Sequence, residues 1–301
     1  MNVLVATDGS KYGRWALNWV ARLPLVESPN VTALHVFDSA ALRAPFLAQP
    51  VMAGNERYIQ EEIQRQEARS ARTLEEATQQ LASLKLTGTA RKEQGAVAPT
   101  ILKHAPKRDG LLVVGSQGHD ALDRFMLGSV STKLIQYAAC PVLVVKDEAV
   151  PLRRITLAID GSPASAHALE FVLTRFQPDR STGKGGHVPI HVNVTYVMAS
   201  LSLAPVTITS TIPWIKSPEM KEANLKFIDQ SVRKLIKTGF TAEPVYQLGN
   251  PAEEIMKAAS TQHADLIVMG AQGLGAIDRF LIGSVSTRVV QHATCAVLVV
   301  R

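Results

Sequence analysis

Its two halves repeat one another, and no other property of this chain restricts its fold as much. Residues Val113 to Lys146 read VVGSQGHDALDRFMLGSVSTKLIQYAACPVLVVK, and Val268 to Arg301 read VMGAQGLGAIDRFLIGSVSTRVVQHATCAVLVVR. Aligned without gaps at an offset of 155, the two segments share 20 of 34 residues. The starts correspond too: Val3-Leu4-Val5-Ala6-Thr7-Asp8-Gly9-Ser10 stands against Ile155-Thr156-Leu157-Ala158-Ile159-Asp160-Gly161-Ser162. Such a duplication sets the folding unit at about half of the 301 residues, long enough to bury its own core. The join falls near Asp147-Glu148-Ala149-Val150-Pro151-Leu152, polar and then broken by proline, as a linker should be. Two domains are expected, 1–146 and 152–301.

Within each copy, apolar runs alternate with helical periodicity. In the first, Val3–Ala6, Val31–Phe37, Leu111–Val114 and Val142–Val145 are short and β-branched, with no polar alternation. That is the pattern of strands buried on both faces of a parallel sheet. A strand near Thr89–Glu93 makes five. Helix formers occupy Gly13–Leu23, Asn55–Leu84, the stretch beginning at Thr100–Ala105, and Ser129–Ala139. Ile59, Ile63, Leu74 and Leu81 stand among many charges in the second of these, which predicts a mostly exposed helix. Val130, Leu134 and Tyr137 fall on one face of the last. The second copy repeats the strands at Ile190–Val197, Thr241–Tyr246, Leu266–Met269 and Val297–Val300. The expected fold is two tandem doubly wound α/β sandwiches of Rossmann-like type. The stretches Ser39–Ala53 and Ala199–Pro218 read as long loops, candidates for lids or interfaces.

Composition removes several classes. A hydrophobic fraction of 46% with 19% charged residues is the balance of a globular chain, not a disordered one. No stretch nears the roughly 18 apolar residues of a membrane span. The N-terminus has no basic region before its apolar residues, so no signal peptide is expected. Two cysteines, Cys140 and Cys295, exclude a disulfide scaffold and a four-thiolate metal site, and fit a reducing, cytoplasmic setting. Net charge is +6, but no basic run of five occurs and aromatic interleaving is lacking, so no nucleic-acid partner is expected.

Ligands of open α/β sheets bind beyond the C-terminal strand ends, where the strand order reverses. Asp8 and Asp160 stand there after the first strands. After the fourth strands come Gly115-x-x-Gly118, nine residues, Gly128-Ser129, and Gly270-x-x-Gly273, nine residues, Gly283-Ser284. Glycine lets the backbone approach a phosphate closely. Ser129 and Ser284 sit where helices begin, so free N–H groups, a hydroxyl and the helix dipole converge on an anion. The loop lacks the lysine of a Walker motif. It follows the fourth strand, not the first, which excludes a dinucleotide-dependent oxidoreductase. A tight turn with a helix cap explains one such loop; two with identical spacing favour phosphate binding.

With both Gly-x2-Gly-x9-Gly-Ser motifs intact, with Asp-Gly-Ser after each first strand, and with Leu34-His35-Val36 and Cys140-Pro141-Val142-Leu143-Val144-Val145, the chain resembles tandem members of the universal stress protein family. The resemblance covers nearly all of both halves. It implies a five-stranded parallel sheet in order 3-2-1-4-5, with ATP bound in each fold. It puts adenine against Val36 and the surroundings of Ala6, Asp8 near the ribose, and Val114 and Gly115 along the nucleoside. Gly118, Gly128, Ser129 and Val130 would hold the phosphates. The counterparts in the second half are Ala158, Asp160, Val197, Met269, Gly270, Gly273, Gly283, Ser284 and Val285. Tyr196 departs from His35, and Gly275 from Asp120.

Asp8 and Asp160 could accept from the ribose or ligate magnesium; the first is preferred, with Mg²⁺ riding on the phosphates. Arg124 and Arg279 could reach a phosphate or form salt bridges. Cys140 and Cys295 are expected in the core, and His35 is expected to be a hydrogen-bonded core histidine. The motif supplies phosphate donors but no lysine or paired carboxylates for efficient hydrolysis, so a regulatory ATP binder is expected, with a slow ATPase or phosphotransferase as the alternative. The resemblance implies the dimer pairing of last strands that is common among family members. The duplication therefore suggests an intrachain pseudo-dimer through Val142–Val145 and Val297–Val300, with association of two chains left open.

Overall fold

The computed structural model describes residues 1–38, 40, 55–107, 109–118, 127–181, 187–199, 218–273 and 282–301. They form two compact units, Met1–Leu23 with Glu27–Val150, and Pro24–Val26 with Pro151–Arg301. The two long loops fall almost wholly outside the described residues, as do Asp120, Arg124, Gly275 and Arg279.

Unit 1 runs β1 (Asn2–Ala6), α1 (Lys11–Arg22), β2 (Asn30–Phe37), α2 (Asn55–Ser83), β3 (Thr87–Gln94), α3 (Val97–His104), β4 (Leu111–Gly115), α4 (Ser129–Tyr137) and β5 (Val142–Val145). Its strands are parallel in order β3-β2-β1-β4-β5. This is the expected 3-2-1-4-5 arrangement. α1 packs beside α2, and α3 beside α4. Strands covered in this way carry Val, Leu and Ile without polar alternation, and β4 is buried along its whole length. β3 is the exception. It ends the order and is mostly exposed, which is why its sequence TGTARKEQ is polar and Lys-containing.

Unit 2 runs β6 (Arg154–Ala158), α5 (Pro163–Arg175), the short antiparallel pair β7 (Asp179–Ser181) and β8 (His187–Pro189), β9 (His191–Ala199), α6 (Pro218–Lys237), β10 (Thr241–Gly249), α7 (Pro251–Thr261), β11 (Leu266–Gly270), α8 (Ser284–His292) and β12 (Ala296–Val300). Its parallel order, β10-β9-β6-β11-β12, repeats that of unit 1. The register repeats too: Asn2 pairs with Asn30, and Arg154 with His191.

Local chemistry sets the helix starts. Ser10 caps α1 by accepting from the Gly13 N–H, and Ser162 caps α5 by accepting from the Ser165 N–H. Asn250 caps α7 by accepting from Ala252 and Glu253, with Pro251 in the first turn. Two expectations need correction. On α4 the buried residues are Ser131, Leu134 and Ile135, while Tyr137 is 58% exposed. The core-facing stripe is thus displaced from the one that apolarity alone marked. On α2 the buried face is Ser70, Thr73, Ala77 and Leu81, with Ile63 and Leu74 only half-buried. The small polar residues of this stripe look toward the cleft described next.

Candidate functional site

The first strand of each unit ends in a turn built on one aspartate. Asp8 Oδ1 accepts from the Ser10 N–H at 2.9 Å, and Asp160 Oδ1 from the Ser162 N–H at 2.9 Å. The intervening glycines, Gly9 and Gly161, have φ of +80° and +82°, a region that other residues enter only with strain. Capping serine and aspartate therefore lock each other, leaving Oδ2 of each aspartate directed at the glycine loop. A Cβ on Gly118 would stand 2.7 Å from Asp8 Oδ2, and one on Gly273 would stand 2.8 Å from Asp160 Oδ2.

The fourth strand leads into a loop whose two ends clasp each other. The Ser116 N–H donates to Val145 O at 2.7 Å, and Ser116 O accepts from the Gly128 N–H at 2.8 Å. The counterparts are Ala271 to Val300 at 2.7 Å and Gly283 to Ala271 at 2.7 Å. Gly128 and Gly283, not the serines after them, are the capping residues, and neither helix has a side-chain cap. Ser129 and Ser284 are thus the first residues of α4 and α8, both exposed. The serines stand where the helices begin, as expected. A glycine cap leaves the first-turn N–H groups and the positive end of the dipole without a side-chain partner at the cap. The next turn fixes the helix start to the strand end. The Ser131 hydroxyl donates to Gly115 O at 2.7 Å, and that of Ser286 to Gly270 O at 2.9 Å.

A cleft of about 900 Å³ opens at this end of unit 1. Ala6, Asp8, Val36, Val114, Gly115, Gly118, Gly128, Ser129 and Val130 all line it. Val97 and Ile101 of α3 and Leu134 of α4 extend its apolar floor, while Gln66, Arg69, Arg72 and Thr73 of α2 make a polar wall. In unit 2, Ala158, Met269 and Gly270 are buried at strand ends, Asp160, Val197, Gly283 and Val285 are half-buried, and Gly273 and Ser284 are exposed. The cavity described in that unit, about 270 Å³, lies elsewhere, against α7, β11 and the end of α8, and contains none of these nine residues. Among the described residues, no three His, Cys, Asp or Glu side chains are grouped to hold a metal ion.

The pattern of a Universal stress protein family matches residues 1–146 and again 151–301. The chain belongs to the universal stress protein family. It is 31% identical over 313 residues to a universal stress protein of Mycolicibacterium smegmatis, covering 99% of this chain and 96% of that one. A universal stress protein of Bacillus subtilis is 32% identical over 150 residues, covering 49% of this chain and 98% of its own. The crystal structure of a universal stress protein from Archaeoglobus fulgidus superposes with a TM-score of 0.67 at 19% identity, over 100% of this chain and 98% of that one. That likeness speaks to the fold alone. No helix among the described residues is long and apolar enough to cross a membrane.

In this universal stress protein His35 is half-buried, not a core residue, and forms part of the cleft wall. Its Nδ1 lies 3.0 Å from Thr7 O and its Nε2 3.0 Å from Ser70 Oγ. A carbonyl only accepts, so Nδ1 carries the proton. Cys140 is buried as expected, but Cys295 is half-buried because it opens onto the 270 Å³ cavity. Sequence reasoning missed Ser131 and Ser286, although the repeated Ser-Val-Ser-Thr of both halves was a visible signal. It missed Tyr12 as well. The Tyr12 hydroxyl donates to Gln117 Oε1 at 2.8 Å in the interior of unit 1.

Proposed function

We propose that this chain is a regulatory ATP-binding protein with one nucleotide site in each unit. The observation that carries this reading is the cleft of unit 1, which brings together nine residues from four separate sequence segments at the switch point of the sheet. Its volume lies within the range of small-molecule sites. Ala6, Val36 and Val114 offer an apolar slot for adenine. Asp8 Oδ2 faces the space that a Gly118 side chain would fill, so a ribose hydroxyl can come within hydrogen-bonding reach of it. The first-turn N–H groups of α4 and the Ser129 hydroxyl supply donors and a favourable dipole for the phosphates. In unit 2 the same roles fall to Ala158, Val197, Met269, Asp160, Gly270, Gly273, Gly283, Ser284 and Val285.

The described residues fit a nucleotide and group no three metal-ligating side chains, so Mg²⁺ would be held through the phosphates. Bound ATP would supply a polyphosphate whose presence the loop reports. The chain's own residues orient it and carry its charge on N–H donors. None of the described groups lining the cleft forms the lysine-and-carboxylate arrangement that efficient phosphoryl transfer uses.

The test is to purify the full chain, extract and identify its nucleotide, and titrate emptied protein with ATP and Mg²⁺ by calorimetry. Two ATP per chain with slow turnover is the expected result. Gly118→Val with Gly273→Val should abolish retention by steric block, and retention in that double variant would refute the site assignment. Rapid phosphate release that disappears in Asp8→Ala with Asp160→Ala would replace the binder by an ATPase.

A further inference from the structure

The helix that walls the cleft of unit 1 brings positive charge to it. Gln66, Arg69, Ser70, Arg72, Thr73 and Glu76 of α2 all line the cleft. Residues three and four apart share a helix face, so these side chains form one continuous strip. The strip is anchored at two points. Ser70 Oγ lies 3.0 Å from His35 Nε2, and a Cβ on Gly9 would stand 2.6 Å from Thr73 Oγ1, against the turn that carries Asp8. Arg69 and Arg72 each adjoin one of these anchors and are exposed, so both stand beside the Asp8 turn with their side chains open to solvent.

Other arginines on or against this helix are matched by carboxylates. Arg57 pairs with Glu61 at 3.3 Å, Arg65 with Glu62 at 3.7 Å, and Arg14 with Glu76 at 4.0 Å. Among the described residues, Arg69 and Arg72 form no ion pair, although Glu75 and Glu76 follow Arg72 at helical spacing. The strand order β3-β2-β1-β4-β5 sets α2, packed on β2 and β3, on one side of Asp8 and the glycine loop after β4 on the other. With phosphates on that loop and adenine in the slot of Ala6, Val36 and Val114, the ribose at Asp8 presents its remaining edge to the arginines. Asp8 Oδ2 can accept from one ribose hydroxyl. A phosphate on the other would meet two guanidinium groups, which hold such an oxyanion through charge-assisted, bidentate hydrogen bonds. Dinucleotide folds divide the task in the same way, with a carboxylate for a ribose hydroxyl and an arginine for a ribose phosphate.

We propose that Arg69 and Arg72 form a second anion subsite in the cleft of unit 1, and that its ligand is an adenine nucleotide carrying a phosphomonoester on the ribose in addition to its 5′-phosphate. This rests on the nucleotide reading given above and narrows its ligand class. A 2′- and a 3′-phosphate offer the subsite the same chemistry, and they differ in which hydroxyl is left for Asp8.

The experiment uses the emptied full chain with unit 2 blocked by Gly273→Val, titrated calorimetrically with AMP, adenosine 2′,5′-bisphosphate and adenosine 3′,5′-bisphosphate. At least one bisphosphate should bind about tenfold more tightly than AMP, and the better one identifies the hydroxyl that Asp8 takes. Arg69→Gln with Arg72→Gln should erase that preference and leave AMP affinity unchanged. Arg57→Gln with Arg65→Gln removes the same charge from α2 at residues that do not line the cleft, and should keep the preference. Bisphosphates that bind no better than AMP overturn the inference and leave the nucleotide reading standing, the two arginines then serving only to offset Asp8 and Asp38. A preference that survives loss of Arg69 and Arg72, or that falls equally with Arg57 and Arg65, overturns it too. A chain that binds neither ATP nor AMP overturns both readings.

Discussion

Alanine placed at each of the three motif glycines of unit 1 should separate three physical roles that the sequence motif presents as one. At Gly115 the new methyl would stand 2.6 Å from Tyr12 Cβ and 3.1 Å from two backbone atoms, Tyr12 C and Gln117 O. Backbone has no rotamer with which to retreat, so α1 must move off the sheet. Overpacking of this kind costs about 1–3 kcal/mol. At Gly118 the methyl would stand 2.7 Å from Asp8 Oδ2, with the next atom 3.8 Å away. The carboxylate must retreat, and its other oxygen is the acceptor for the Ser10 N–H at 2.9 Å. Loosening that charge-assisted bond should cost about 1 kcal/mol of stability, and misdirecting the proposed ribose acceptor should weaken ATP by about tenfold. At Gly128 the nearest atom is 3.4 Å away and the backbone is extended at φ −63°, ψ 151°, so alanine fits. Stability should fall by only about 0.5–1 kcal/mol, the difference between a glycine and an alanine cap. ATP should still weaken, because the methyl stands at the turn proposed to bind phosphate. Urea titration measures the stabilities, and calorimetry in the Gly273→Val background measures unit 1 alone. The reasoning fails if Gly128→Ala destabilises as much as Gly115→Ala, or if ATP affinity is the same in all three variants.

Three further outcomes are expected. Ser131→Ala and Ser286→Ala each remove a buried hydroxyl that ties a helix start to a strand end, and should each cost about 1–2 kcal/mol. With the two residues in separate units their losses should add, and a double variant no worse than either single would contradict this. Leu134→Ala should cost about 3–5 kcal/mol because that side chain is fully buried, while Tyr137→Ala should stay near 0.5 kcal/mol or below; equal losses in chemical denaturation would overturn the corrected α4 face. Burial pushes the Asp147 carboxyl above its ordinary value, so the native state holds that proton more tightly than the unfolded chain. Its stabilising contribution is therefore present below the ordinary aspartate pKa and lost as pH rises through the raised native value. Asp147→Asn should melt slightly higher than wild type near pH 7, with the gap closing toward pH 3; a gap that widens on acidification would reverse the sign.

Much of the fold was legible because it is written in residue types with one strong physical consequence. Runs such as Leu111–Val114 have no polar alternation, and only a strand covered on both faces tolerates that. The nine-residue spacer before Gly128 is repeated before Gly283, which made the loop visible without knowledge of its shape. Side-chain direction was less legible. Tyr137 looked like core because it is apolar at a helical spacing, yet helical phase relative to the sheet is set by what α4 packs against. Ser70 and Thr73 fall on a helix expected to be mostly exposed, yet they are buried at the polar wall, with Ser70 bonded to His35 and Thr73 packed close to Gly9. Polar residues facing a cleft escape a search for apolar stripes.

The sequence by itself determined that one α/β unit occurs twice, that each copy carries an aspartate turn and a glycine loop, and that these lie at the ends of parallel strands. Duplication and hydrophobic period suffice for that, because both are properties of the chain read in order. Only the tertiary structure decided what each glycine is for: Gly115 yields to Tyr12, Gly118 to Asp8, and Gly128 to the closing bond with Ser116. It alone decided that Tyr12 and Gln117, 105 residues apart, share a buried hydrogen bond. Such a bond depends on where two helix and strand ends meet in space, and no local pattern encodes that distance.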